Sequence, residues 1–194
     1  YLAALIGMAG GLATASIAPS LVTRYSASLR LEKALVVGLS QSGAGPDVLA
    51  TIRAARAAGA VTVAIVNAEG SPLGEAAEYL LPQRAGVERS VAATKSFILT
   101  LAVSARLVAA WCRDAELLDA LRRLPERLDE ALGCDWSPAL PMLQQAHSLY
   151  VVGRGPALGT AQETALKLKE TSGLHAEALS AAEVQHGPRA VIGQ

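Results

Sequence analysis

The sequence predicts an α/β fold, because a unit of strand, small-residue turn and helix occurs twice along the chain. Residues 34–39 are a short apolar run, followed by a polar turn and by Pro46 at a position that favours the start of a helix. Residues 148–152 are a second such run, followed by a Gly-Arg-Gly turn at 153–155. Short apolar runs that alternate with helices are typical of buried parallel strands with right-handed crossovers. Two copies of one α/β module are the simplest explanation.

The elements after the first strand alternate as they do in a parallel sheet. Apolar residues recur at helical spacing after Pro46, and β-branched residues fill the run that ends at Asn67. The predicted elements are, in order, a helix from Pro46 to Gly59, a strand at 61–66, a short helix from Ser71, a strand at 79–81 and a long apolar helix at 90–113. Aromatic residues are scarce (4%), so the core is left to Ala, Val, Leu and Ile.

Helical segments connect the two copies. Pro125 divides residues 117–132 into two helical pieces, and Ser137–Pro138 begins a further helix that ends near residue 146. We therefore expect a first module at 1–114, connecting helices at 115–146 and a second module at 147–194. Both modules are expected to be truncated, since residue 1 is Tyr and the last residues begin an apolar element.

Charge and cysteine content argue against several classes of function. Seventeen basic residues balance seventeen acidic ones, so a nucleic-acid partner, which normally needs a basic surface, is not expected. The two cysteines, Cys112 and Cys134, form no CxxC pair, so we expect reduced thiols in the cytoplasm and no metal site. The apolar run 2–18 is broken by glycines and lacks a basic start, which argues against a signal peptide or a membrane span.

The turn Ser40–Gln41–Ser42–Gly43 is the strongest chemical signal in the sequence. A phosphate dianion binds backbone N–H groups, hydroxyl donors and the positive end of a helix dipole, and this turn offers all three. It also follows a predicted buried strand, at the sheet edge where open α/β folds bind ligands. The alternative is an ordinary polar loop whose serines cap the next helix. The residue types alone leave both interpretations open.

The second turn matches a dinucleotide-binding sequence only in part. Residues 153–159 have the spacing GxGxxxG instead of GxGxxG, and no second strand that ends in an acidic residue follows at the expected distance. A nicotinamide-dependent enzyme is therefore not expected.

The predicted helix after the second turn carries a charged stripe. Glu163, Lys167 and Glu170 fall on one face at helical spacing. They form either a solvated face with ion pairs between residues three or four apart, or a catalytic face on which Glu170 transfers a proton beside Lys167. His186, which precedes Gly187–Pro188, is a further candidate for proton transfer because histidine titrates near neutral pH.

A series of short motifs occurs in a fixed order along the chain. They are Ser40–Gly43 (SQSG), Glu88-x-x-Val91-Ala92-x-Thr94-Lys95, Ala165–Glu170 (ALKLKE), His175–Glu177 (HAE) and Glu183-x-x-His186-Gly187-Pro188. In this order they resemble the sugar isomerase (SIS) family, above all the isomerase half of glucosamine-6-phosphate synthase and the SIS-type glucosamine-6-phosphate deaminases. The resemblance implies two α/β modules, each a parallel sheet between helices in an αβα sandwich of the Rossmann-like or flavodoxin-like kind.

The resemblance also implies a role for each matched residue. It implies that the phosphate is bound by Ser40, Gln41, Ser42 and Gly43. It also implies that the sugar contacts Val91 and Ala93. Glu170 would move the proton between C1 and C2 with Lys167 beside it, and His186 would open the sugar ring. In the synthases that histidine comes from a neighbouring subunit, so a homodimer with sites at the subunit boundary is implied. No metal or redox cofactor is implied, because aldose–ketose isomerisation needs a base, an acid and an anchored phosphate.

The chain departs from the synthases at specific positions. Gly45 stands where they have a threonine, Pro46 has no N–H, and Ala93 stands where they have a serine. The sequences of the motifs are more similar to those of the deaminases. We therefore expect an enzyme that converts glucosamine 6-phosphate to fructose 6-phosphate and ammonia. The alternatives are the isomerase half of a glutamine–fructose-6-phosphate aminotransferase and a non-catalytic module that senses a phosphosugar.

Overall fold

The computed structural model describes residues 1–187, which divide into two compact units. One unit is Ala15–Leu107, and the other combines Tyr1–Thr14 with the chain from Val108 onward. Each unit contains a parallel sheet with helices packed on it, which confirms the predicted α/β class. Two short sheets do not by themselves make two complete modules, so the two-module interpretation and its boundaries stay a prediction.

The described residues contain helices and strands with the following bounds. The helices are α1 (Leu2–Gly10), α2 (Ser20–Thr23), α3 (Pro46–Ala57), α4 (Pro72–Ala76), α5 (Lys95–Cys112), α6 (Ala115–Arg122), α7 (Leu124–Leu132), α8 (Leu140–Gln145), α9 (Pro156–Ser172) and α10 (Ala181–His186), with a 3-10 turn at Ser137–Ala139. The strands are β1 (Leu35–Ser40), β2 (Val61–Val66), β3 (Tyr79–Pro82), β4 (Ser148–Gly153) and β5 (His175–Ser180). Strands β1 to β4 and the division of α6 from α7 at Pro125 confirm the sequence predictions to within a few residues.

Three parallel strands form the sheet of the unit Ala15–Leu107, in the order β1, β2, β3. Ser40 at the end of β1 lies opposite Val66 at the end of β2, and Val66 lies opposite Pro82 at the end of β3. All three strands therefore end at one edge of the sheet. Three polar residues stand at this edge: Gln41 after β1, Asn67 after β2 and Gln83 after β3.

Aliphatic side chains join α3 and α4 to this sheet. Ile52 and Ala55 of α3 are 1% and 0% exposed, and they belong to one buried cluster with Val36 of β1, Ala64 of β2 and Leu73 of α4. Burial of a side chain such as Ile52 or Leu73 stabilises the fold by about 1.5–3 kcal/mol. This cluster fixes α3, and with it the turn that leads from β1 into that helix.

The other unit contains the two-stranded parallel sheet of β4 and β5, with Ser148 opposite His175 and Gly153 opposite Ser180. Helix α9 packs on both strands, and its small residues Ala161 and Ala165 are buried. Strand β5 was not predicted. Its sequence, HAEALS, has no β-branched residue, so its extended form depends on pairing with β4 and not on local propensity.

The composition predicted that the long apolar helix begins at residue 90. In the structure this helix, α5, begins at Lys95. Ala92 has φ 70°, in the left-handed region that a helix cannot include. The Glu88 carboxylate accepts the backbone N–H of Ser96 at 2.6 Å, so it caps the helix from the preceding loop. Side-chain capping therefore sets the start of α5 five residues further along than composition suggests.

Within residues 1–187, α5 is also the helix that is long and apolar enough to cross a membrane, judged by length and composition alone. Core helices of soluble proteins pass the same test, so a single such helix is weak evidence for a membrane span. The helix therefore supports no membrane assignment.

Candidate functional site

The residues predicted to form the site fall into two groups, one in each unit. Ser40–Gly43, Val91 and Ala93 lie in the unit Ala15–Leu107. Lys167, Glu170 and His186 lie in the other unit. Each group is described by itself.

Ser40–Gly43, here called the phosphate turn, joins the end of β1 to α3. Gln41 and Ser42 are exposed, and Gly43 is buried. The N–H of Gly43 donates to Ser40 Oγ at 2.9 Å, and the N–H of Ala44 donates to Ser42 Oγ at 3.3 Å. A hydroxyl that accepts a hydrogen bond still has its own O–H to donate. Both serines thus shape the turn and retain a donor for an anion.

The serines do not cap α3, so the capping role that the alternative interpretation gave them is not seen, and phosphate binding by the turn stays a prediction. Gly45 is the N-cap residue of α3, and no side chain accepts a hydrogen bond there. Pro46 occupies the first turn and has no N–H to satisfy. The first-turn N–H groups of Asp47 and Val48 therefore lack a side-chain cap and remain available, at the positive end of the helix dipole, for an anion or for water.

Gly43 is the residue of the turn that only glycine can occupy. Its φ is 63°, in the left-handed region. A Cβ at this position would lie 2.6 Å from Ser71 Cβ and 2.8 Å from Val66 Cγ2. The Gly43 carbonyl accepts the N–H of Leu73 at 3.0 Å, which holds the turn against the start of α4. The phosphate turn is therefore rigidly packed on its inner side and exposed on its outer side.

The second predicted contact region lies in the loop before α5. Val91 is 90% exposed and Ala93 is half-buried. Between them Ala92 adopts φ 70°, and its carbonyl accepts the Thr94 hydroxyl at 3.2 Å. The backbone around Val91 is thus accessible, as a backbone contact with a sugar requires.

Glu88 and Lys95 close this loop from its two ends. A Glu88 carboxylate oxygen accepts the N–H of Ser96 at 2.6 Å and the Ser96 hydroxyl at 2.9 Å, and Lys95 Nζ donates to the Val87 carbonyl at 2.7 Å. The hydrogen bond from the Ser96 N–H is the main reason why the pKa of Glu88 lies below its ordinary value. The motif Glu88 to Lys95 is therefore a structured loop anchored on the first turn of α5.

The charged stripe of α9 is present as predicted. Lys167 Nζ lies 2.8 Å from Glu163 Oε1 and 3.1 Å from Glu170 Oε2. The hydrogen bond with Glu163 is the largest cause of a raised pKa for Lys167, opposed by desolvation and supported by Glu170. Lys167 is therefore a cation at neutral pH and not a base. The ion pairs of the structural interpretation exist, and a catalytic role for Glu170 stays a prediction.

His186 is the last residue of α10 and is exposed. The helix starts in a capping box, in which the Glu183 carboxylate accepts the N–H of Ser180 at 3.0 Å. Glu183, which opens the predicted motif, is thus explained as a cap. Pro188, which ends the motif, lies outside the described residues.

Two surface hollows in residues 1–187 lie away from the phosphate turn. One hollow of about 630 Å³ lies between α9 and β5 and includes Lys169, His175 and Glu177. Another of about 460 Å³ lies in the loop before α5 and includes Glu88, Arg89 and Lys95. The phosphate turn lines neither, so its assignment depends on its backbone geometry. Among residues 1–187, no group of three or more His, Cys, Asp or Glu side chains is placed to hold a metal ion.

Known proteins share both the sequence and the fold. The SIS domain model matches residues 4–110 and 142–194. A glutamine–fructose-6-phosphate aminotransferase from Methanothermobacter thermautotrophicus is 41% identical over 171 residues, which cover 87% of this chain and 29% of that protein. The chain thus spans about three tenths of the length of the curated relatives it matches.

Three solved structures extend this likeness. A protein from Silicibacter pomeroyi DSS-3, described as a phosphosugar isomerase, has a TM-score of 0.93 at 42% identity and covers 97% of this chain and 57% of its own. The C-terminal domain of glucosamine-fructose-6-phosphate aminotransferase from Francisella tularensis has a TM-score of 0.82 at 25% identity, over 98% of this chain and 57% of its own. Glucosamine-6-phosphate deaminase from Thermotoga maritima has a TM-score of 0.79 at 22% identity, and the match covers 100% of this chain and 60% of that protein. At this identity the match shows the fold alone. Motif order, parallel sheets and the extent of the family match together show that the chain belongs to the SIS domain family.

Proposed function

We propose that the chain binds a phosphosugar and forms part of an enzyme that isomerises an amino-sugar phosphate. The reaction proposed first is the conversion of glucosamine 6-phosphate and water to fructose 6-phosphate and ammonia. The observation that carries the proposal is the geometry of the phosphate turn. Two serine hydroxyls lie in the turn after β1, and the first turn of α3 that follows has no side-chain cap; these are the groups proposed to hold a phosphate dianion.

Anchoring the phosphate has a direct chemical purpose. C1 and C2 of the sugar react, while the phosphate at C6 does not change during the reaction. Binding at the unreactive end fixes the sugar while C1 and C2 react, so that less entropy remains to be lost in the transition state. Val91 and Ala93, on the structured loop before α5, are proposed to contact the sugar.

The proton chemistry is proposed for the second group of residues. His186 would assist ring opening, which gives the free aldehyde at C1 and the amine at C2. Glu170 would take the proton from C2 and return it to C1, with the cation of Lys167 beside it. The amine nitrogen also loses a proton and the aldehyde oxygen gains one, so the product is an alcohol at C1 and an imine at C2. Water then hydrolyses the imine, which releases ammonia and leaves the ketone of fructose 6-phosphate.

The second candidate is the isomerase half of a glutamine–fructose-6-phosphate aminotransferase. The 41% identity to the protein of that name from Methanothermobacter thermautotrophicus favours it. The proton transfer is the same, but it runs toward glucosamine 6-phosphate with ammonia supplied by another domain. Gly45 and Ala93 stand where the resemblance places hydroxyl residues in the synthases, which weighs against strict synthase activity.

The architecture and setting that accompany this function are also proposals. We infer two SIS modules, at 1–114 and 147–194, joined by the helices of 115–146. A homodimer with sites at the subunit boundary, a small phosphosugar as ligand and a cytoplasmic location complete the proposal. Neither a nucleic acid nor a membrane is part of it.

The test is ammonia release from glucosamine 6-phosphate by the full-length protein, coupled to an assay for fructose 6-phosphate. Release of both products in equal amounts would support the deaminase. Thermal stabilisation by the sugar phosphate without ammonia release would favour the synthase half or a non-catalytic sensor. If neither turnover nor stabilisation is seen, the phosphate turn does not bind this class of sugar.

A further inference from the structure

Gln83 is a buried amide at the edge of the sheet where the phosphate turn lies. It follows β3 directly and is 2% exposed. Its Nε2 donates to the Ser40 carbonyl at 3.1 Å and to the Ile65 carbonyl at 3.3 Å. The backbone N–H of Gln83 donates to the Val66 carbonyl at 3.0 Å. The side chain therefore reaches across β2 to the end of β1.

Only one end of the Gln83 amide is satisfied by the described part of the protein. Among residues 1–187, Oε1 of Gln83 has no hydrogen-bond partner. A buried acceptor without a partner costs free energy, and an apolar side chain of similar size would avoid that cost. What the amide supplies instead is its Nε2 donor to Ser40 and Ile65.

The contact with Ser40 connects Gln83 to the phosphate turn. Ser40 is the last residue of β1 and the first residue of the turn, and its hydroxyl accepts the N–H of Gly43 at 2.9 Å. Gln83 thus holds the carbonyl of the same residue whose hydroxyl shapes the turn. A shift of the Ser40 backbone would move that hydroxyl and the N–H groups after it.

Asn67 makes a second connection at the same edge. Its backbone N–H donates to the Gln41 carbonyl at 3.2 Å. Its side chain accepts the N–H of Ala85 at 2.8 Å and donates to the Gly86 carbonyl at 2.7 Å. Asn67 therefore links the phosphate turn to the segment that leads to Val91.

We propose that Gln83 and Asn67, here called the amide pair, are positioning residues for phosphosugar binding. They hold the phosphate turn and the loop before α5 in one fixed arrangement, so that both are formed before the ligand arrives. Preorganisation of this kind raises affinity because less ordering is needed on binding. This inference rests on the proposed function, and it assigns the amide pair no contact with the ligand.

The test compares Gln83→Met and Asn67→Ala with Thr62→Val in the full-length protein. Thr62 is 0% exposed, and its hydroxyl accepts the N–H of Glu78 at 3.0 Å near the start of β2, away from the edge with the phosphate turn. Gln83→Met and Thr62→Val remove side-chain hydrogen bonds to backbone groups at or next to this sheet, and Asn67→Ala removes those to the segment after β3. Calorimetry with fructose 6-phosphate and with inorganic phosphate gives the affinities, and thermal unfolding without ligand gives the stabilities.

We expect Gln83→Met and Asn67→Ala to bind fructose 6-phosphate about tenfold more weakly than the wild type, as the loss of one or two supporting hydrogen bonds allows. Thr62→Val should bind within about twofold of the wild type although its melting temperature also falls. Wild-type affinity in both amide variants, with stability reduced as in Thr62→Val, would show that the amide pair is only structural and would overturn the inference. Asn67→Ala keeps the backbone N–H that contacts Gln41 and removes the side-chain contacts with Ala85 and Gly86, so it tests the link to the loop before α5. Asn67 is only half-buried, so its variant tests that link even where Gln83→Met does not fold. Failure of the wild type to bind either ligand would reject the proposed function itself.

Discussion

Lys167 and Glu163 face each other one turn apart on α9, with Lys167 Nζ 2.8 Å from Glu163 Oε1. Their side chains are 26% and 22% exposed, whereas Glu170, the other partner of Lys167, is 38% exposed. Glu163 is therefore the more shielded carboxylate and holds Lys167 in place. Glu170 is the more accessible one, which suits a group that has to meet a substrate. Both glutamates pair with Lys167, but the side chain of Glu170 is more exposed to solvent than that of Glu163.

Replacing each glutamate by glutamine separates catalysis from ion pairing. If Glu170 is the base, Glu170→Gln should reduce the turnover of glucosamine 6-phosphate by about 10²–10⁴-fold and leave its binding nearly unchanged. Glu163→Gln also removes one carboxylate that pairs with Lys167. It should reduce turnover less than about fivefold, because a partly exposed ion pair contributes about 1 kcal/mol at most. Steady-state rates and calorimetric affinities of the two variants give the comparison.

Equal turnover in Glu170→Gln and the wild type would remove Glu170 from the proton transfer. Equal losses in both variants would instead show that the position of Lys167 matters more than either carboxylate. A protein that binds the sugar phosphate but has no turnover in any form would be the non-catalytic sensor.

The titration of Lys167 follows from the same contacts. A raised pKa means that the ion pairs stabilise the folded state fully below the ordinary value of 10.5 and lose that effect as the pH rises through the higher folded value. Glu163→Gln removes the largest cause of the increase, so the pKa of Lys167 should fall. Titration of the labelled lysine side chain by NMR in both proteins measures the change. An unchanged pKa would mean that Glu163 and Lys167 are not paired in solution.

The sequence was sufficient for those elements of the fold that depend on local patterns. Apolar runs of β-branched residues predicted β2 at its observed bounds, and Pro125 correctly divided α6 from α7. Strand β5 escaped prediction because pairing with β4 gives it its form. The start of α5 was misplaced because a carboxylate eight residues earlier, Glu88, caps the Ser96 N–H. Both misses come from interactions that local propensity does not include.

The candidate site shows the same division. The phosphate turn could be identified from the sequence because its donors are neighbours in the chain. The contact between Gln83 and Ser40 could not, since it joins residues 43 positions apart through one side chain. A lone glutamine after a strand has no feature in the sequence that indicates a partner two strands away.

Gly43 and Gly45 offer a matched test of the phosphate turn. Gly43→Ala places a methyl group against Ser71 and Val66 at φ 63°, so it should destabilise the fold by about 2–4 kcal/mol through backbone strain and overpacking. Gly45→Ala has nothing within 4 Å of its Cβ and φ −63°, so stability should change by less than about 1 kcal/mol. Urea unfolding measures both. Similar stabilities for the two variants would contradict the geometry of the turn.

The acid stability of the loop before α5 depends on Glu88. Since its pKa is lowered, chiefly by the Ser96 N–H, the Glu88 carboxylate stabilises the fold above the ordinary value of 4.5 and loses that effect as the pH falls through the lower folded value. Glu88→Gln should therefore be less stable than the wild type at neutral pH and should lose less stability on acidification below 4.5.

Glu75→Gln, at an exposed position on α4, is the control for the loss of one carboxylate. Urea unfolding at a series of acidic pH values gives the slope for each protein. Parallel slopes for Glu88→Gln and the wild type would show that the Glu88 carboxylate does not hold the start of α5 in solution. A flatter slope in Glu88→Gln alone would show that the Glu88 carboxylate helps to anchor the loop with Val91 and Ala93, beside the contact of Lys95 with the Val87 carbonyl.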